Sequence, residues 1–180
     1  MYIVTGGAGF IGNVFVWKLN REGIDDILIV DSLGCSEKWK NLVKRRYADF
    51  IHKDAFYEML CGGTLPFRAK AVIHMGACSS TTERDADYLM ENNFRYSCAL
   101  ARWAVSKKIP FLYASSGATY GDGSRGFSDD DRVTPTLQPI NMYGYSKQLF
   151  DLWVMRNNLL GRVVGIKFFN VFGPNEYHKG

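Results

Sequence analysis

Apolar residues fall along this chain in short runs, separated by stretches with helical spacing. The runs at 2–4, 27–30, 71–74, 109–113 and 163–168 have strand length, and residues 47–51 read as a further, weaker strand. Between them, the segments clearest at 11–22, 84–107 and 143–160 space their apolar residues as amphipathic helices do. Strand and helix in alternation predict parallel strands joined by right-handed helical crossovers. The expected fold class is α/β, an open doubly wound parallel sheet covered on both faces. Residues 117–141, with Gly121, Gly123, Gly126, Pro135, Pro139 and Asp129-Asp130-Asp131, read as one long polar loop. Loops of that length inside compact domains tend to be lids or binding loops.

The first strand-to-helix junction carries the most chemistry. Tyr2-Ile3-Val4 runs into Thr5-Gly6-Gly7-Ala8-Gly9-Phe10-Ile11-Gly12, after which Ile11, Val14, Phe15 and Leu19 take up helical spacing. Gly6 permits a tight turn, a side chain at Gly9 would hold a pyrophosphate off the backbone, and Gly12 lets the helix pack close to the strand. The helix N-terminus offers N–H groups and a positive dipole end to phosphates. The next apolar run, Ile27-Leu28-Ile29-Val30, ends in Asp31, whose carboxylate can accept hydrogen bonds from ribose hydroxyls. A glycine triplet alone could merely connect elements. With a strand before it, a helix after it and an acid at the next strand end, it reads as the dinucleotide site of a Rossmann fold.

Bulk properties narrow the classes without naming one. A chain of 180 residues suits one domain with a real core, and 47% hydrophobic with 22% charged residues is ordinary for a soluble globular protein. A net charge of +4, scattered along the chain, gives no footing for nucleic acid. The one local excess, Lys38-Trp39-Lys40 with Lys44-Arg45-Arg46, reads as a solvated helix face in preference to a phosphate site. No charged-then-apolar leader precedes the first strand and no apolar run nears membrane-spanning length, so a cytoplasmic protein with no membrane partner is expected. Cysteines 35, 61, 78 and 98 form no CxxC pair and no cluster with histidines, so no metal site is expected.

In such sheets ligands bind beyond the carboxyl ends of the strands. After strand 71–74 come Met75-Gly76-Ala77-Cys78-Ser79-Ser80, small enough for a cofactor to lie on the backbone, though a plain turn would look the same. In helix 84–107 an inward stripe of Leu89, Asn93, Tyr96, Leu100 and Trp103 is interrupted by the amides Asn92-Asn93. Buried amides need partners; a cofactor contact and helix-to-loop bonding account for them equally. After strand 109–113 stands Ser116, and Tyr143 with Lys147, one turn apart, opens the next helix. A free phenol, with a pKa near 10, is a poor base at neutral pH. An ammonium nearby and an oxidised nicotinamide would favour the phenolate, and a serine hydroxyl opposite would orient the substrate oxygen. With ten tyrosines in the chain, a tyrosine four before a lysine means little without that context.

Together TGGAGFIG, SSGATYG and YGYSK resemble the extended short-chain dehydrogenase/reductase superfamily. HMGACSSTTE (74–83), ENNFRYS (91–97) and FFNVFGPNEYHKG (168–180) narrow the resemblance to its ADP-L-glycero-D-manno-heptose 6-epimerases, over the whole 180 residues. The resemblance implies an isomerase that inverts C6 of an ADP-heptose by transient oxidation, in the making of lipopolysaccharide core precursors. It implies NADP contacts at Phe10, Ile11, Asp31, Ser32, Lys38, Lys53, Met75, Gly76, Ala77, Cys78, Ser79, Asn92 and Val171, and a triad of Ser116, Tyr143 and Lys147. Asn170 falls where the family touches the sugar nucleotide, and Lys179 on a lysine that serves as a second acid/base. Inverting a carbinol through a ketone needs proton handling on both faces, which one tyrosine cannot supply. Met75 replaces a usual glutamate and Ser32 a usual asparagine. Asp31 alone would favour NAD by repelling a 2′-phosphate; Lys38 and Lys53 offset it. Family members run on with a smaller substrate-binding region, so residues 1–180 read as the dinucleotide-binding domain of a longer chain, a homo-oligomer when full length. The rival readings are a 4-epimerase or dehydratase of the same superfamily, and a non-catalytic dinucleotide-binding fragment. Gly117-Ala118 after Ser116, where a dehydratase normally has acids, weigh against the dehydratase.

Overall fold

In the computed structural model, which describes residues 1–174, six strands form one parallel sheet. The chain runs β1 (Tyr2–Thr5), α1 (Phe10–Arg21), β2 (Ile27–Asp31), a 3₁₀ turn (Glu37–Leu42), β3 (Asp49–His52) and α2 (Lys53–Cys61). It continues through β4 (Ala71–His74), α3 (Ala86–Leu89), a π-helical turn (Met90–Arg95) and α4 (Tyr96–Ser106). Then follow β5 (Phe111–Ser116), two 3₁₀ turns (Gly117–Tyr120 and Asp131–Thr136), α5 (Met142–Arg156) and β6 (Val163–Phe168). The strand order β3-β2-β1-β4-β5-β6 is that of a doubly wound sheet, with the strand order reversing between β1 and β4.

The central strands read as unbroken apolar runs because both faces are covered. Along β2 all five residues are buried, and they divide by parity. Leu28 and Val30 join Ile3, Phe56, Leu100, Phe111 and Phe150 in a core under α2, α4 and α5. Ile27 and Ile29 join Val4, Val16, Leu42 and Ile73 under α1 and the first 3₁₀ turn. Because every strand is parallel, Thr5, Asp31, His74 and Ser116 all end at one edge of the sheet.

Four expectations need correction. The segment 84–107 is not one α-helix: a π turn at 90–95 splits it. The segment 117–141 is not an unbroken loop, since two 3₁₀ turns punctuate it, and the last crossover helix stops at Arg156 rather than 160. Helix α2 was not expected, because its short amphipathic stretch follows β3 with no loop between. Among the described residues no helix is long and apolar enough to cross a membrane.

Candidate active site

At the carboxyl edge of the sheet, the glycine turn is shaped by backbone contacts. Gly6 has φ +66°, and a Cβ there would meet Gly76 N at 2.6 Å, so β1 and the segment after β4 touch without side chains between them. Helix α1 starts at Gly9 with no side-chain cap and no acid in its first turn. Its positive end borders the cleft, an arrangement suited to an anion.

Asp31, at the end of β2, is buried and already engaged. Its Oδ2 accepts from Ala8 N (2.9 Å), and its Oδ1 accepts from Ser32 N (2.7 Å) and Lys38 Nζ (2.7 Å). Lys38 Nζ also donates to Ser32 O. A carboxylate offers about four lone-pair sites, so a ribose hydroxyl can still be received, beside a charge that Lys38 balances. A pocket of about 250 Å³ here is lined by Asp31, Ser32, Lys38, Lys53, Cys78 and Asn92. Lys53 pairs with the exposed Asp54 at 2.8 Å. Thr5, Tyr88 and Tyr96 also line it, none of them expected there from the sequence. Tyr88 and Tyr96 sit in a helical segment where aromatic residues usually mean core.

The pocket opens into a cleft of about 740 Å³ through shared walls at Gly6, Asp31, Lys38, Gly76 and Ala77. This cleft is lined by Gly9, Phe10, Ile11, Gly12, Met75 and Ser79 at one end. At the other lie Ser116, Tyr143, Lys147, Asn170 and Val171, together with Phe168 and Phe169. Every expected site residue among those described thus lines one continuous depression. Lys179 lies outside the described residues.

Two elements converge to set the hydroxyl, phenol and amine. Ser116 ends β5 and caps the 3₁₀ turn after it, its Oγ accepting from Ala118 N. Asn141 caps α5 by accepting from Gly144 N at 2.8 Å. A Cβ at Gly144 would stand 2.6 Å from Ala118 O, so only glycine lets α5 press this closely on the turn that carries Ser116. Burial pushes the Tyr143 phenol's pKa up, and the Ser116 hydroxyl pulls it the other way by a smaller amount. Lys147 is buried and donates to Ala114 O at 2.9 Å. Burial depresses its pKa to about 8, against an opposing pull from Asp151 one turn along the helix. In the protein alone, then, the phenol is held protonated.

The helix break at 90–95 coincides with contacts from outside the helix. It turns Asn93 inward, where Oδ1 accepts from Cys78 N (2.9 Å) and Nδ2 donates to Cys78 O (2.9 Å) and Ser146 Oγ (3.1 Å). Ser146 donates in turn to Tyr143 O. Structural bonding thus accounts for Asn93, while Asn92 lines the pocket and donates to Asn93. Behind this lies His74, whose pKa burial depresses to about 3. Ser97 donates to Asn93 O (2.5 Å), so the 2.8 Å contact with His74 Nε2 needs the proton on Nε2. Nδ1 then accepts from Thr5 Oγ1 (2.7 Å), which itself accepts from Gly76 N. A directed chain of hydrogen bonds joins the glycine-lined wall to α4, and it works only with a neutral imidazole.

The model of the NAD dependent epimerase/dehydratase family matches residues 2–180. The chain belongs to this family. It is similar to the ADP-L-glycero-D-manno-heptose-6-epimerase of Nitratidesulfovibrio vulgaris, at 63% identity over 180 residues that make up 100% of this chain and 56% of that protein. The Fusobacterium nucleatum protein of the same name is 54% identical over 185 residues, 55% of its length. The chain therefore spans about half the length of the curated relatives it matches. Among solved structures it is similar to the Helicobacter pylori ADP-L-glycero-D-manno-heptose-6-epimerase, with a TM-score of 0.81 and 26% identity, covering 99% of this chain and 57% of that one. The Thermotoga maritima UDP-glucose 4-epimerase follows at TM-score 0.77 and 26% identity, covering 97% and 57%. The family's dinucleotide dependence agrees with the glycine turn and the uncapped helix described above.

Proposed function

We propose that these residues form the dinucleotide-binding and catalytic part of an epimerase that inverts C6 of ADP-D-glycero-D-manno-heptose, using NADP. The observation that carries this reading is the single cleft in which the glycine turn meets Ser116, Tyr143 and Lys147. The names of the relatives, at 63% and 54% identity, supply the substrate.

The cleft suits a dinucleotide, because a helix N-terminus with no side-chain cap at Gly9, and glycines where a Cβ would intrude, would receive its phosphates. Held there, a dinucleotide would supply reversible hydride acceptance at the carbinol carbon, with no net oxidation. The protein's own groups manage the proton. Tyr143 takes it from the substrate hydroxyl, and the Ser116 hydroxyl orients that oxygen. Lys147, fixed on Ala114 O, keeps a donor and a positive charge on the Tyr143 face of α5. Lys179 is assigned the second acid/base role on the resemblance to the family alone. The balanced pair Asp31–Lys38, with Lys53 in the same pocket, supports NADP: a 2′-phosphate there would meet two amines and a carboxylate whose charge is already answered.

The test pairs turnover with binding in the full-length protein. ADP-D-glycero-D-manno-heptose is expected to be epimerised and UDP-galactose left unchanged, with NADP⁺ bound more tightly than NAD⁺. Tyr143→Phe should lower turnover by roughly 10²–10⁴-fold and leave the NADP⁺ dissociation constant within about twofold. Turnover of UDP-galactose alone would replace the substrate assignment, tighter NAD⁺ binding would overturn the cofactor, and an active Tyr143→Phe would remove the phenol from the mechanism.

A further inference from the structure

The 3₁₀ turn Glu37–Leu42 lies beside the glycine turn, and Asn41 on it is 2% exposed. Its Nδ2 donates to Ala8 O at 2.9 Å, while its Oδ1 is buried with no hydrogen-bond partner among the described residues. A buried acceptor left unpaired is costly, so the side chain is kept there for its donor. Ala8 is held from both sides: its N–H goes to Asp31 Oδ2, and Asp31 Oδ1 receives Lys38 from the same 3₁₀ turn as Asn41. Ala8, Asp31, Lys38 and Asn41 therefore close a ring. Asn13 of α1 braces it, its Nδ2 donating to Asn41 O (2.9 Å) and Gly7 O (3.4 Å) and its Oδ1 accepting from Arg45 Nε (2.9 Å).

The effect is directional. The carbonyls of the glycine turn are tied back into the protein: Gly6 O takes Gly9 N, Gly7 O takes Asn13, and Ala8 O takes Asn41. With its carbonyls drawn inward, the turn keeps negative dipole ends away from the cleft where phosphates would lie. We propose that Asn41 is a positioning residue for dinucleotide binding, its amide donor fixing the Ala8 carbonyl so that the turn receives the pyrophosphate. The inference rests on the reading of this turn as the dinucleotide site. It does not depend on the sugar or on the reaction.

Two substitutions in the full chain test it, each read by calorimetric titration of NADP⁺ against the parent protein at the same pH. Asn41→Leu has no donor and should raise the dissociation constant roughly tenfold at every pH. Asn41→Asp keeps the shape, and its carboxyl donates only when protonated. Asp31 and Lys38 stand on the cofactor side of this corner and Arg45 on the other. The ratio of its dissociation constant to the parent's should lie near one at pH 5 and exceed roughly tenfold at pH 8. A melting curve at each pH separates binding from unfolding. A pH-independent ratio for Asn41→Asp, or parent-like binding by a folded Asn41→Leu, would overturn the proposal. Should Asn41→Leu fail to fold, the Asn41→Asp ratio decides alone. If the parent protein binds no dinucleotide, the reading beneath both proposals falls; if the parent binds and the variants match it, only this one does.

Discussion

Gly12→Ala isolates the contact on which the glycine turn rests. Gly12 is the third residue of α1, where alanine is the better helix former by about 1 kcal/mol. Propensity by itself would make the variant more stable. The added Cβ, however, would stand 2.1 Å from the Gly6 carbonyl oxygen, 2.6 Å from its carbon and 3.1 Å from Gly7 Cα. These are backbone atoms in a turn pinned by Gly6 N to Val30 O and by Gly9 N to Gly6 O, so they cannot swing aside as a flexible side chain would. Carbon and oxygen sit comfortably at roughly 3.3 Å or more, which requires helix and turn to part by about 1 Å. Overpacking of this kind costs about 1–3 kcal/mol. Against rigid backbone the cost falls in the upper part of that range, about 2–3 kcal/mol, which outweighs the propensity gain for a net loss of roughly 1–2 kcal/mol. In a domain of this size, at about 2–4 °C per kcal/mol, the melting midpoint should fall by roughly 2–8 °C. Scanning calorimetry reads the midpoint, and Gly9→Ala is the paired control. Gly9 has φ −76°, open to alanine, and its Cβ would meet only Gly6 O, at 3.2 Å. Its midpoint should stay within about 2 °C, while its methyl, facing the cleft, should weaken NADP⁺ binding roughly tenfold or more. A Gly12→Ala protein that melts at or above the parent temperature refutes the steric reasoning.

Two further outcomes concern pH. Lys147 has a folded pKa near 8 against an ordinary 10.5, so between those values the unfolded chain holds more protons and stability should rise with pH. Lys147→Met should lose that rise between pH 8 and 10, measured by denaturant titration; an unchanged slope would refute it. His74, depressed to about 3 from 6.5, stays neutral when folded while the unfolded chain takes up a proton, so stability should fall as pH drops from 6.5 toward 3. His74→Asn should be less stable at pH 7 yet show a shallower decline between pH 6.5 and 4.5, and parallel declines would remove His74 as the cause.

How much was legible beforehand differs from element to element. The strands declared themselves because a doubly covered parallel strand must be apolar on both faces, as in β2, where parity sends Ile27 and Ile29 one way and Leu28 and Val30 the other. The glycine turn, Asp31, Ser116 and the Tyr143–Lys147 pair were readable for a similar reason: each depends on local chemistry at a strand end or in one helical turn. The π turn was not, because the force that makes it comes from Cys78, fifteen residues away in sequence.

The chain by itself determined which segments are strands and which edge of the sheet gathers the candidate side chains, since period, turn residues and strand ends are local properties. Only the tertiary structure decided the electrostatic state of that edge. Asp31 is answered by Lys38, His74 is kept neutral between Thr5 and Ser97, and burial, stronger than Ser116, keeps the Tyr143 phenol protonated. Asn41, in a stretch that reads as charged surface, became a support of the glycine turn only when the chain folded back on itself. Charge and hydrogen-bond partnership depend on distance and dielectric across elements, and no spacing along one segment encodes them.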